Sequence, residues 1–102
     1  MTRRLLSTRR LVPLDRVDDY FDDWQRVRGA AEAAGGRAWL FRGAGHEDHF
    51  LEFIEWGDDH GPTPLPDDAA VAAARLHLDH AFGSGHADDW EEAPSGRGRE
   101  DG

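Results

Sequence analysis

Residues 49–56, with the sequence His-Phe-Leu-Glu-Phe-Ile-Glu-Trp, decide the fold of this chain. Side chains alternate between the two faces of a strand, so one face receives Phe50, Glu52, Ile54 and Trp56. The opposite face receives His49, Leu51, Phe53 and Glu55. Because both faces carry large apolar side chains, each needs a covering layer of protein. The stretch therefore predicts a strand in a sheet that is covered on both sides.

The residues just before this strand predict its partner. Residues 37–42 read Arg-Ala-Trp-Leu-Phe-Arg and indicate another strand, and residues 43–48 between them form a glycine-rich turn. Two strands joined by so short a connection form an antiparallel hairpin. Further upstream, alternation over residues 4–12 predicts a strand that ends at Pro13.

An amphipathic helix is predicted between the first strand and the hairpin. Its apolar positions follow helical spacing and are Val17, Tyr20, Phe21, Trp24, Val27 and Ala31. Asp15 is a suitable N-cap, and Gly35-Gly36 provides the C-terminal stop. Gly29 weakens the middle of the helix by about 1 kcal/mol relative to alanine, so we expect close packing there.

A second helix follows the hairpin. Residues 57–66 are rich in Gly, Pro and Asp and predict a rigid, exposed loop. Asp67 or Asp68 then caps a helix that runs to about Phe82, with Gly83 as its stop. Residues 87–93 fit either a short fourth strand or a helical turn.

The order βαββα, with an optional last β, predicts a ferredoxin-like α+β domain over residues 1–92 with an antiparallel sheet. Two helices would cover one face of that sheet. Only 19 of the 102 residues are Leu, Ile, Val or Phe, so the interior of one subunit is small. We therefore expect a homodimer in which the second copy covers the other face. Residues 93–102 predict a flexible polar tail.

Composition excludes several classes of protein. The chain has no Cys, Lys or Asn, which excludes disulfides, thiolate nucleophiles and Schiff-base lysines. The net charge is -9, so neither nucleic acid nor an anionic membrane is an expected partner. No apolar run approaches the roughly 20 residues of a membrane-spanning helix, and we expect a cytoplasmic protein.

Two segments resemble a known superfamily. The first segment, residues 50–58, is an apolar strand that ends in Glu55, Trp56 and Asp58. The second, residues 75–82, is a helix with His77. Both resemble the dimeric α+β barrel proteins, especially the antibiotic biosynthesis monooxygenase-like group. The resemblance implies a homodimer with a cleft between sheet and helices, and the superfamily includes cofactor-free oxygenases, haem enzymes and isomerases. Glu55 and Trp56 are adjacent here, and residues 57–66 lengthen the gap to the helix. Asn, used by the haem-degrading branch, is absent, which argues against haem cleavage. We expect no cofactor.

The enzymatic hypothesis assigns roles to five residues. His49 or His77 would act as a base, and Trp39, Phe41 and Trp56 would shape a cleft for a small aromatic ligand. In such cofactor-free chemistry the base deprotonates an electron-rich aromatic substrate, which then reacts with oxygen.

Less specific interpretations stand beside these assignments. His77 and His80 share a helix face and could ligate a metal, but a solvated pair is favoured and no metal site is predicted. Arg9, Arg10 and Arg42 could bind an anion, although pairing with Glu52 and Glu55 is favoured. The alternative function is a non-catalytic binding or assembly module that uses the sheet face as an interface. An enzyme needs an enclosed pocket containing a His, whereas a module would fill that volume with Trp and Phe.

Overall fold

A computed structural model describes residues 2–93, so residues 94–102 of the predicted tail lie outside the described part of the chain. Six elements form the domain and are β1 (Arg3–Leu11), α1 (Val17–Ala33), β2 (Arg37–Gly43), β3 (His46–Gly57), α2 (Ala69–Phe82) and β4 (His86–Glu91). The strands form one antiparallel sheet in the order β2-β3-β1-β4. The predicted ferredoxin-like α+β fold is confirmed, and residues 86–91 are its fourth strand.

The β2–β3 hairpin is longer than its sequence pattern indicates. Strand β3 begins at His46, three residues before the predicted start, and a tight turn at Ala44 and Gly45 precedes it. Gly45 has a φ of 91°, a left-handed conformation that glycine adopts without strain. A register shift between Arg42 and Gly43 joins this turn to the regular ladder.

The start of α1 differs from the prediction, because Asp15 is not its N-cap. A 3-10 turn over Leu14–Arg16 precedes the helix, and the N-cap residue is Arg16, with no side-chain capping bond. The Arg16 side chain instead donates to the Ala81 carbonyl at 2.7 Å and lies over the Phe82 ring. Contact with the end of α2 therefore sets where α1 begins, which local sequence does not show.

The prediction that residues 57–66 form a wholly exposed loop is wrong at its end. Leu65 is fully buried and begins a 3-10 turn over Leu65–Asp67. Its side chain fills space next to Gly36, where an added Cβ would lie only 2.0 Å from Leu65 Cδ2.

At Gly29 an added Cβ would meet nothing within 4 Å, so the predicted close packing is not observed. The second helix begins as predicted, with the Asp68 carboxylate accepting from the Ala70 and Val71 amides.

The core lies between the two helices and one face of the sheet. The predicted alternation in β3 is confirmed, since Phe50, Ile54 and Trp56 are buried on the face that the helices cover. From α1, Tyr20 and Trp24 pack into the same core. Neither helix in the described range is long and apolar enough to cross a membrane.

The opposite face of the sheet has no covering layer in the single chain. We call it the open face. Large apolar side chains stand exposed on it, namely Leu11 (61%), Trp39 (40%), Phe41 (55%) and Trp90 (54%). Exposed aromatic side chains clustered on one surface are typical of an interaction site.

Candidate functional site

A row of side chains crosses all four strands of the open face. Residues paired across antiparallel strands share a face, and the register aligns Phe41 of β2 with Leu51 of β3, then Arg9 of β1, then His86 of β4. The row forms the floor of a groove of about 560 Å³, which we call the row groove. Further lining residues come from the ends of β1 and β2 and the start of β3, namely Arg10, Leu11, Arg42, Gly43, His49 and Phe50.

His49 lies in the row groove, which is where a base that acts on a bound ligand must lie. Its Nε2 atom is 3.6 Å from Asp48 Oδ1, and its ring lies 4.9 Å from the ring of His46. The imidazole is 54% exposed and accessible to a ligand, but in the single chain the groove is open to solvent, whereas the enzymatic hypothesis requires an enclosed pocket around the His. Phe41 borders the same groove and packs edge-to-face on Phe53 at 5.5 Å. The structure therefore brings together two of the five predicted site residues.

Trp39 shares the open face but lines a neighbouring groove of about 290 Å³. Trp90 borders this second groove as well, held by a 2.8 Å hydrogen bond from its indole Nε1 to Ser7 Oγ. Two tryptophans thus flank a surface immediately next to the row groove.

Trp56 and His77 lie on the helix side of the sheet, away from His49. Trp56 is buried, with the Arg4 guanidinium 5.9 Å from its ring centre. His77 Nε2 lies 3.3 Å from Asp23 Oδ2 and links α2 to α1. Strand alternation explains the separation of Trp56 from His49. Two side chains an odd number of residues apart in one strand point to opposite faces of the sheet. Within residues 2–93, no three His, Asp or Glu side chains are grouped to hold a metal ion.

A buried polar cluster occupies the space between sheet and helices. Arg10 donates to both oxygens of Glu52, at 2.7 and 3.3 Å, and also to Asp79 and the Gly83 carbonyl. The Tyr20 hydroxyl donates to Glu52 Oε2 at 2.5 Å. The sequence favours pairing of Arg9, Arg10 and Arg42 with Glu52 and Glu55, and within residues 2–93 this is correct only for Arg10 with Glu52, whose contact is buried rather than exposed. For Arg9 and Arg42 it is wrong, since Glu55 pairs with Arg3 instead.

The cluster fixes the charge states of its members. Burial raises the pKa of the Tyr20 phenol, and the negative charge and hydrogen bond of Glu52 raise it further. For Arg10, burial acts to lower the pKa, but the bonds to Glu52 and Asp79 outweigh it and the pKa is raised. Arg10 thus remains charged, and Tyr20 a neutral donor, at neutral pH.

The burial of this pair and its contact with Tyr20 were not predicted, although the sequence carries a signal for the burial. Glu52 falls between Phe50 and Ile54 on the apolar face of β3, where a carboxylate needs a buried partner. Arg10 falls on the face of β1 that also carries Leu6. A charged residue of each sign at an inward position of two strands predicts a buried pair.

Comparisons with known proteins agree on the fold. The chain is similar to a conserved protein from Methanosarcina mazei, with a TM-score of 0.73 and 9% identity over 88% of this chain and 92% of that one. It is also similar to an antibiotic biosynthesis monooxygenase candidate from Bordetella bronchiseptica, with a TM-score of 0.66 and 16% identity over 91% and 97% of the two chains.

A third structural relative is SnoaB from Streptomyces nogalater, described as a cofactor-independent oxygenase, with a TM-score of 0.65 and 9% identity over 90% of this chain and 91% of that one. No family model matches the chain, and no curated protein matches it. At these identities the likeness establishes the fold, which is that of the antibiotic biosynthesis monooxygenase-like proteins. The resemblance inferred from the sequence is confirmed at this level.

Proposed function

We propose that the protein is a homodimer that pairs through the open face and binds a flat aromatic molecule in the row groove. The observation that carries this proposal is the cluster of exposed apolar side chains on the open face, including Phe41 and Trp90. Water-exposed aromatics of this size favour association, because each contributes a large apolar area when it is buried.

The distribution of charge supports pairing through the same face. Two copies with a net charge of -9 repel each other at most orientations. The exposed aspartates of α1, Asp18, Asp19 and Asp22, lie on the helix side, whereas β1 places Arg3 and Arg9 on the open face. Contact through the sheets thus keeps the acidic helices of the two copies apart.

The row groove supports a ligand site at the end of that interface. Leu11 is the last residue of β1 and Gly43 the last of β2, so the groove lies where the strands end. A partner can cover the centre of the sheet while the groove keeps an opening at its end. Aromatic walls with a few polar groups are typical of sites for flat organic molecules.

We further propose oxygenase-like chemistry with His49 as the base. A phenol such as 1-naphthol would give its hydroxyl proton to the His49 imidazole, and the naphtholate would then form a carbon–oxygen bond with O₂ at the opposite ring position. Cleavage of the O–O bond yields 1,4-naphthoquinone, and the second oxygen atom leaves as water with the two hydrogens lost by the substrate. SnoaB, which has the same fold, is described as a cofactor-independent oxygenase, and this supports the reaction class.

A second candidate function, a non-catalytic assembly module, has an observation in its favour. The space between helices and sheet, where the resemblance implies a cleft, holds the Arg10–Glu52 pair and the packed rings of Tyr20, Phe50 and Phe82. If the row groove binds no small molecule, the open face is an interface alone.

Light scattering after size-exclusion chromatography tests the dimer, which should have twice the chain mass. Trp90→Asp should give a monomer, because it places a charge in the proposed interface. Leu76→Asp is the matched control, since Leu76 (55%) and Trp90 (54%) are about equally exposed but Leu76 lies on α2. A monomeric parent protein contradicts the proposal, and so does a dimer that survives Trp90→Asp.

An oxygen electrode tests the chemistry, with 1-naphthol as substrate and quinone absorbance as the second readout. We expect the parent protein to consume oxygen and His49→Gln to lose most of that activity. His46→Gln is the matched control, because His46 is the neighbouring imidazole but does not line the groove. Ligand binding without oxygen consumption would favour the assembly or binding module.

A further inference from the structure

The row groove carries an unusual balance of charge for this protein. The chain has 21 acidic residues, yet no Asp or Glu is among the residues that line the groove. Arginines and histidines supply its charged and titratable side chains. With a net charge of -9, most of the surface attracts cations. A groove that has arginines and no carboxylates attracts anions instead.

Two guanidinium groups in the lining lack a carboxylate partner in the described part of the chain. Arg9 lies at the centre of the row, between Leu51 and His86, and makes no ion pair there. Arg42 donates from Nε to the Glu47 carbonyl at 2.8 Å and lies over the Phe50 ring, so its charge is also uncompensated.

The other basic side chains of the groove already have acidic neighbours. Arg10 is paired with Glu52 and Asp79 on the helix side. His49 and His86 each have an aspartate nearby, Asp48 at 3.6 Å and Asp88 at 3.4 Å. Arg9 is therefore the cation best placed to meet a ligand, because its side chain is exposed and rises from the groove floor.

We infer that the row groove selects flat aromatic ligands that carry an anionic group, and that Arg9 binds this group. The inference rests on the proposed function, which places an aromatic ligand against Phe41 and Leu51. Their positions beside Arg9 in one row provide an apolar surface for the ring and a guanidinium for a carboxylate. Guanidinium groups bind carboxylates through two parallel hydrogen bonds, which gives direction as well as charge attraction.

Calorimetric titration with two ligands of the same shape tests the inference. The probes are 2-naphthoate and its neutral carboxamide, 2-naphthamide, and we expect the anion to bind about tenfold more tightly at low salt. Added salt should reduce that preference. Arg9→Gln should abolish it, whereas Arg9→Lys should retain part of it.

Arg37→Gln is the matched control, because Arg37 is an exposed arginine on the open face that does not line the row groove. It should leave the preference unchanged. Equal affinity of the two probes, or an equal effect of Arg9→Gln and Arg37→Gln, overturns the inference while the aromatic site of the proposed function stands. Binding of neither probe overturns both.

Discussion

Raising the pH offers a direct test of the buried cluster, because Tyr20 is the only tyrosine in the chain. The twelve basic residues are all arginines and there is no cysteine, so no other side chain titrates between about pH 8.5 and 12. Tyr20 is fully buried and donates to Glu52 at 2.5 Å. Loss of its proton would place two negative charges side by side in the core.

The magnitude follows from linkage between ionisation and folding. In the unfolded chain the phenol ionises with a pKa of about 10, whereas burial and Glu52 raise the pKa in the folded protein. A raised folded pKa means that this stabilisation is complete below pH 10 and is lost as the pH rises. The loss is about 1.4 kcal/mol per pH unit, so the free energy of unfolding should fall by about 2 kcal/mol near pH 11.5.

Urea unfolding followed by tryptophan fluorescence measures this loss, and ultraviolet absorbance of tyrosinate measures ionisation directly. In the folded protein, tyrosinate should form only together with unfolding. Tyr20→Phe is the control, because its unfolding free energy should lack the decline above pH 10. A folded protein that ionises with a midpoint near 10 would refute the assigned burial and hydrogen bond.

Four other substitutions test packing and charge through the same urea measurement. Glu52→Leu should cost about 3 kcal/mol, because Arg10 stays buried and keeps only the partly exposed Asp79 carboxylate, at 3.1 Å, as its ionic partner, and adding Arg10→Met should recover most of that cost; strictly additive losses would contradict a coupled pair. Gly29→Ala should stabilise the protein by about 0.5–1 kcal/mol, because the added methyl group meets no neighbour. Gly36→Ala should destabilise it by about 1–3 kcal/mol through its clash with Leu65, and equal effects of the two glycine substitutions would refute this packing.

Elements with strict periodicity could be predicted from the sequence. The alternation of Phe50, Ile54 and Trp56 sets the faces of β3, and Asp68 followed by an Ala-rich stretch sets the start of α2. Such signals are local, because each residue's neighbours in sequence are also its neighbours in space. The order of elements then determines the fold class.

Features that depend on distant contacts could not be predicted. The start of α1 depends on Arg16 reaching the end of α2, 65 residues away in sequence. Leu65 is buried because Gly36 leaves room for it, although the surrounding prolines and aspartates indicate an exposed loop. Neither the Arg16 contact nor the Leu65 contact can be inferred from the composition of the surrounding residues.

The candidate site was predicted only in part for the same reason. Residue type indicated His49 and Phe41, and the register places both beside Arg9 in one groove. His77 is separated from them by the sheet, since it extends from a helix on the covered side. The spacing of His77 within α2 shows which residues lie on the same face of the helix. It does not show which other element of the domain that face contacts.

The strand order affects how the chain folds during translation. Strand β1 leaves the ribosome before the rest of the sheet but ends up at its centre, bonded to β3 on one edge and to β4 on the other. The α1 helix and the β2–β3 hairpin can assemble during synthesis, whereas the second edge of β1 stays unpaired until Glu91 has emerged. Nascent chains that stall before residue 86 would therefore leave one edge of β1 unpaired, and an unpaired edge binds chaperones and promotes aggregation.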